Sequence, residues 1–357
     1  MALLDIPVQP KTRPRRQWEL DALRVIAIVG VVAIHVSGLL LAHGKGTLSW
    51  WAAVTVNVGS TWVVPVFVMI SGALLLAPRA HVDGPAAFYR KRFVRILPAL
   101  VAWHLIYLFG VRVLLRGEPF RPRSALINLL DAKTFTALYF LWLIAGLYVI
   151  APVIAAFLRG GGPRRAFCVA GVALLSTQMA YGLSTLSSLL GEPRPIHLGA
   201  WNQWWPYVGL FVAGWALRGV VLRPAGIVTA AVVGVLAVAE PIWQYADPHR
   251  LLAFLPITRL GPMMAVAAIC FFLVAVGVGA RVTPAPRAAF ALRRLSDAAF
   301  GVFLVHLLIL EVLRVALPPV EAARSPWVLA ATFVVTLTVS FVISLAAAKA
   351  RYVRAIF

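Results

Sequence analysis

Apolar runs of about twenty residues recur from one end of this chain to the other, the length an α-helix needs to cross a hydrocarbon layer of about 30 Å. Read against the charged breaks between them, they fall at approximately 20–41, 50–76, 96–115, 137–158, 166–189, 204–218, 225–243, 262–280, 297–316 and 327–348. A backbone inside a bilayer has no water to bond to, so each run has to satisfy its own N–H and C=O groups as a helix. The expected fold class is therefore all-α, a polytopic integral membrane protein of about ten transmembrane helices. Composition agrees, with 62% hydrophobic and only 13% charged residues among 357, outside the range of soluble domains. Spans and short connections use nearly all the length. One membrane domain is expected over 19–357, preceded by a basic segment, 1–18, that lacks the apolar core and cleavage site of a signal peptide.

A net charge of +21 would suit a nucleic-acid binder if it formed a patch, but the basic residues are spread among short loops, so no nucleic-acid partner is expected. Their distribution is a topology signal. The N-terminal segment and the breaks near 79–95, 159–165, 218–223, 281–294 and 349–354 hold twenty-one lysines and arginines, against nine in the alternate breaks. The positive-inside rule places both termini in the cytoplasm. The break after the third run fits least well, since it carries Arg116, Arg121, Arg123 and Lys133, although Glu118 and Asp131 accompany them. Cys168 and Cys270 lie inside apolar runs without ligand or redox spacing, and the seven histidines are scattered, so no metal site is expected.

The first run, ELDALRVIAIVGVVAIHVSG over 19–38, carries the residues with chemistry. An ionisable side chain inside a membrane span is costly unless it faces protein or water, and its default reading is functional. Arg24 and His35 stand eleven positions apart, close to three helical turns, so both project from one face with a rise of about 16 Å between them. Arg24 is then placed near one membrane surface, as a snorkelling anchor helped by Asp21 or as an anion binder. His35 lies roughly halfway across, where an imidazole suits proton chemistry or an interhelical hydrogen bond.

Other features bear on the same interior. The second run clusters Thr55, Asn57, Ser60 and Thr61 in one half and places Pro65 near its centre, which implies an inward face and a kink. In FYRKRFVRILPAL, 88–100, Arg92 and Arg95 are one turn apart on the same side as Arg24 and can share an anion with it. Ser71 and Gly72 read as helix-packing residues. Ser296 reads as an N-cap and Asp297 as a first-turn acid, while Glu311 is spaced to pair with Arg314. His306 is a second mid-span histidine, structural or facing the same interior as His35. Tryptophans gather at the outer ends of spans; WNQWW at 201–205 is denser than an interfacial belt requires, and Trp201, Trp204 and Trp205 beside Asn202 and Gln203 would suit a sugar face.

Taken in order, these residues resemble the acyltransferase-3 family of bacterial membrane enzymes, in particular its stand-alone surface-polysaccharide O-acetyltransferase branch. The likeness rests on Arg24 and His35, VPVFVMISGALLL around Pro65, the Arg92 and Arg95 pair before ILP, FLWLIAGLYVIAP with Trp142 and Tyr148, and FGVFLVHLLIL with His306. It implies a multi-pass enzyme of the bacterial cytoplasmic membrane that takes an acyl group, acetyl by resemblance, from cytoplasmic acyl-CoA to a hydroxyl of a cell-surface or lipid-linked glycan. By the same resemblance His35 is the base, and Arg24, Arg92 and Arg95 serve acetyl-CoA. Trp201, Trp204, Trp205 and His306 are the candidates for the acceptor. The rival class is a secondary transporter or exporter, which would require two similar halves with interrupted helices at matching positions; no such repeat is visible.

The topology is open to direct test. A cysteine introduced at Trp201, with the native cysteines replaced, is expected to react with a membrane-impermeant reagent in intact cells, and one at Thr12 is not. The reverse pattern would exchange the two faces.

Overall fold

The computed structural model describes residues 17–41, 45–246, 255–350 and 353–357. Most of the basic segment expected over 1–18 lies outside the described residues, as do Arg250 and Arg351 from the charge count. Every long element is a helix: α1 (Trp18–Leu41), α2 (Leu48–Gly59), α3 (Val63–Leu75), α4 (Gly84–Leu105), α5 (Pro122–Leu130), α6 (Tyr139–Arg159), α7 (Gly162–Leu189), α8 (Val208–Leu217), α9 (Pro224–Ala246), α10 (Pro262–Gly279), α11 (Pro286–Ala316), α12 (Pro318–Ala322) and α13 (Pro326–Ala347). Among the described residues, nine helices are long and apolar enough to cross a membrane, α2 and α3 together counting as one and α4 including its continuation to Leu115. The run expected at 204–218 differs. It forms a single apolar helix over only Trp205–Leu217, about 20 Å long at 1.5 Å per residue, so a full tenth crossing is not supported by length.

The short helix survives because it is buried. α8 lies against α3 and α7, with Gly209 through Gly214 shielded. Its crossing with α3 is a backbone-to-backbone contact: a Cβ on Gly72 would stand 1.7 Å from the carbonyl oxygen of Phe211, and one on Gly214 would stand 1.9 Å from that of Met69. Hydrophobicity alone does not associate helices in lipid, so small residues that permit such approach supply the packing. Gly72 thus has the packing role read from its sequence.

The break in the second run falls at Ser60–Trp62, between α2 and α3. Pro65, from which the kink was expected, sits just past that break in the first turn of α3, where its missing N–H has no intrahelical partner to lose. α11 starts at Pro286, ten residues before the expected cap. The expectation for Ser296 is corrected accordingly: it is a buried interior residue, at 2% exposure. The turns before it, PRAAFALRRL, carry three arginines and belong to the same helix.

α4 continues through Ile106–Leu115 as a π-helical stretch, a winding frequent at functional sites. It presents Arg112 toward Glu118, 2.7 Å away, while Arg116 meets Glu311 at 2.8 Å and Lys133 meets Asp131 at 3.2 Å. Two of the basic residues that fitted the topology least, Arg116 and Lys133, are therefore held in ion pairs. Leu, Val and Met side chains of α7 and α9, such as Leu175, Met179, Val232 and Leu236, face outward. In water that would be an aggregation surface; against lipid it is the expected exterior.

Gly72→Ala is expected to lower stability by about 1–3 kcal/mol, because the clash is with backbone that cannot swing aside. The thermal midpoint of the detergent-purified protein measures it. An unchanged midpoint would show that α3 and α8 do not meet as described.

Candidate active site

α1 and α11 run side by side in the same direction and share two contacts at nearly equal spacing. At one end Ser296 on α11 donates to Asp21 at 2.7 Å and accepts from Arg24 at 2.9 Å, with Asp21 and Arg24 also paired at 3.8 Å. Eleven residues along α1 and ten along α11, the rings of His35 and His306 lie 5.3 Å apart. Those intervals rise about 16 and 15 Å, so the lower contact fixes the register of the upper one.

His35 opens onto a cavity of about 1390 Å³, larger than the ~300–1,000 Å³ that holds one drug-sized ligand. At the Arg24 end its wall carries Arg24, Arg79, Lys91, Arg92 and Arg95. Arg92 and Arg95 come from the start of α4, and Arg79 from the turn after α3. The three arginines read from the sequence are thus brought to one chamber, joined by Arg79 and Lys91, which their loop positions had marked only as topology signals. Tyr148 of α6 stands among Arg92, Arg95 and Arg24. Arg92 has no carboxylate partner among the described residues, and its Nε is buried without a hydrogen bond. Such a cluster is the electrostatic ground for a polyanion.

Midway along, His35 is flanked by Ile34, Phe67, Phe140 and Phe303, and by Asn57 and Thr136. Asn57 donates to the Ile34 carbonyl at 2.7 Å and to the Ser37 hydroxyl at 3.3 Å, tying α2 to α1 beside the histidine. His35 and Thr136 also line a second, smaller cleft of about 420 Å³ beside Arg112, Arg116 and Glu311.

His306 is not on the wall of the large cavity. It lies behind His35, fully buried, with Nδ1 at 2.7 Å from the Phe303 carbonyl. A carbonyl only accepts, so Nδ1 carries the proton and Nε2 keeps its lone pair. That Nε2 is buried and has no hydrogen-bond partner.

The tryptophan cluster is also elsewhere. The Trp204 indole packs over Gly146 of α6 and donates to the Trp201 carbonyl at 2.7 Å; Trp201 is 77% exposed, and Trp205 is also exposed. None of Trp201, Trp204 and Trp205 lines the cavity. The far end is walled instead by Tyr139, Tyr181, Thr258 and Arg259, which come from the start of α6, the interior of α7 and the connection between α9 and α10. No spacing in the sequence joins them.

Comparison with protein-family models gives a match over residues 17–345, to Acyl_transf_3, described as an acyltransferase domain. The chain belongs to the acyltransferase-3 family. It matches no curated protein and no solved structure. Membership makes this an acyltransferase-type membrane fold and supports a catalytic role, in keeping with a basic chamber that leads to a histidine. Among the described residues, no group of three or more histidine, cysteine or carboxylate side chains is placed to hold a metal. For a member of the acyltransferase-3 family, the α1–α11 register is the feature on which the chamber rests.

Ser296→Ala tests that register. Losing a buried hydroxyl that bridges Asp21 and Arg24 is expected to lower stability by about 1–3 kcal/mol, read from the thermal midpoint. No change would remove Ser296 from the tie.

Proposed function

We propose that the protein is a membrane O-acyltransferase that moves an acyl group, acetyl in the simplest case, from cytoplasmic acyl-CoA to a hydroxyl of a cell-surface or lipid-linked glycan. One observation carries the reading: a single cavity joins five basic side chains at the Arg24 end to His35 in its interior. Family membership supports the class of reaction, and the positive-inside asymmetry supports taking the Arg24 face as cytoplasmic.

Arg24, Arg92 and Arg95, helped by Arg79 and Lys91, would hold the phosphates of the donor; arginine forks suit phosphate oxygens. The extended arm of the donor then has a route along α1 toward His35. There the neutral imidazole takes the proton from the acceptor hydroxyl as its oxygen attacks the thioester carbonyl. The new C–O bond forms, the C–S bond breaks, and the departing thiolate recovers the proton, so none is released overall. The His306 ring, packed against that of His35, would fix the orientation of the imidazole. His306 therefore acts as a positioning residue in this reading rather than as a contact for the acceptor. Asn57 and Thr136 are the polar neighbours available to the developing oxyanion.

The two ends of α1 separate in experiment. Arg24→Ala, Arg92→Ala and Arg95→Ala should each weaken acetyl-CoA binding, by roughly 1.5–3 kcal/mol for every charged hydrogen bond lost. His35→Ala should bind the donor as before while turnover falls by about 10²-fold or more. Calorimetric binding and single-turnover transfer on the same folded variants measure both. Near-normal turnover in His35→Ala would sink this mechanism, and failure of the purified protein to consume any acyl-CoA would favour an exporter.

A further inference from the structure

Past His35 the cavity ends at Arg259, on the connection between α9 and α10. Its surroundings differ from those of the arginines around the neighbouring cleft. Arg112, Arg116 and Arg314 each meet a glutamate. Arg259 donates through Nε to the Tyr207 hydroxyl at 3.0 Å, and its guanidinium lies 4.2 Å from the centre of the Tyr139 ring. Among the described residues no carboxylate is its partner. A phenol and an aromatic face offer a dipole and a quadrupole but no counter-charge. A half-buried cation in that position is costly to keep without an anion.

The anchoring also aims the group. With Nε held by the buried Tyr207, the terminal Nη donors make no hydrogen bond among the described residues and are left to the cavity. On the same wall the hydroxyl of Tyr181 is shielded from solvent and has no partner. A guanidinium fork beside an unused phenol is the recognition chemistry for a carboxylate or phosphate group.

We propose that this end of the cavity is an anion subsite for the acyl acceptor, so that the glycan acylated here carries a carboxylate or a phosphate near the reacting hydroxyl. The proposal rests on the acyltransferase reading above and adds the charge class of the acceptor. Arg259 and Tyr181 hold the anion, and the rest of the sugar extends from there toward His35. The cavity's size leaves space for this group beside a donor.

Binding to the purified full-length chain, with coenzyme A saturating the basic cluster at the opposite end, tests it. The probes are methyl glucuronide for a carboxylate, glucose 1-phosphate for a phosphate and methyl glucoside as the neutral comparison. At least one charged probe is expected to bind about tenfold tighter than the neutral one, the scale of one charge-assisted hydrogen bond. Arg259→Gln should erase that advantage without changing affinity for methyl glucoside, whereas Arg259→Lys should retain part of it. Tyr181→Phe should weaken the favoured probe several-fold. Preference for methyl glucuronide alone would assign an acidic sugar, and preference for glucose 1-phosphate alone a phosphate-bearing glycan. Equal binding of all three by the wild type, or a charge preference that survives Arg259→Gln, overturns the proposal. If Arg259→Gln does not fold, the wild-type comparison and Arg259→Lys decide. Acetyl-CoA binding, titrated separately on the wild type, shows whether the donor reading fails on its own, since charge selectivity at Arg259 is read without any acyl transfer.

Discussion

Two parallel helices held in register are the constraint on which the rest depends. Asp21, Ser296 and Arg24 lock α1 to α11 at one level, and the equal rise along both helices delivers His35 and His306 to each other at another. In a bilayer the lower lock is strong for a simple reason: the alternative to the hydroxyl bridge is a carboxylate and a guanidinium that must find partners where water is scarce. A slip of one residue would turn His35 by about 100° away from its chamber. The His35 imidazole is thus positioned by a contact about 16 Å away.

Charge is partitioned around that register. On the side of the smaller cleft, the arginines of the π-helical stretch and of α11 are tied to Glu118, Glu311 and Glu321. Around the large cavity, Arg92 and Arg259 have no carboxylate partners among the described residues, and Arg24 leans on Asp21 through a longer contact of 3.8 Å. Paired cations hold a structure together at modest net gain, whereas cations facing a chamber keep a field available to a ligand. The difference between the two populations is what makes the cavity chemically asymmetric along its length: a basic end, a neutral middle with the His35 imidazole, and a single guanidinium beyond.

The far end of the cavity relies in turn on an element shorter than a full lipid-facing span. α8 is accepted because glycines at 72 and 214 let its backbone touch that of α3. Tyr207, at its start, is also the residue that anchors Arg259. Packing and recognition meet in that one turn.

Much of this was legible in the residues themselves. Uninterrupted apolar runs dictate helices because hydrocarbon leaves the backbone no other partners, and the spacing of Arg24 and His35 on one face follows from helical periodicity alone. The Arg92 and Arg95 pair could be placed on the same side as Arg24 by counting crossings. Periodicity is a property of one helix, however, and it is silent about which helices are neighbours. That His306 lies behind His35 rather than beside it, that Ser296 bridges instead of capping, and that Trp201, Trp204 and Trp205 stand off the cavity while Arg259 and Tyr181 line it are facts of packing between segments distant in sequence. The chain by itself determined the helices and the chemistry available on their faces; only the tertiary structure decided which faces meet, because in lipid that choice rests on close fit and hydrogen bonding rather than on hydrophobicity.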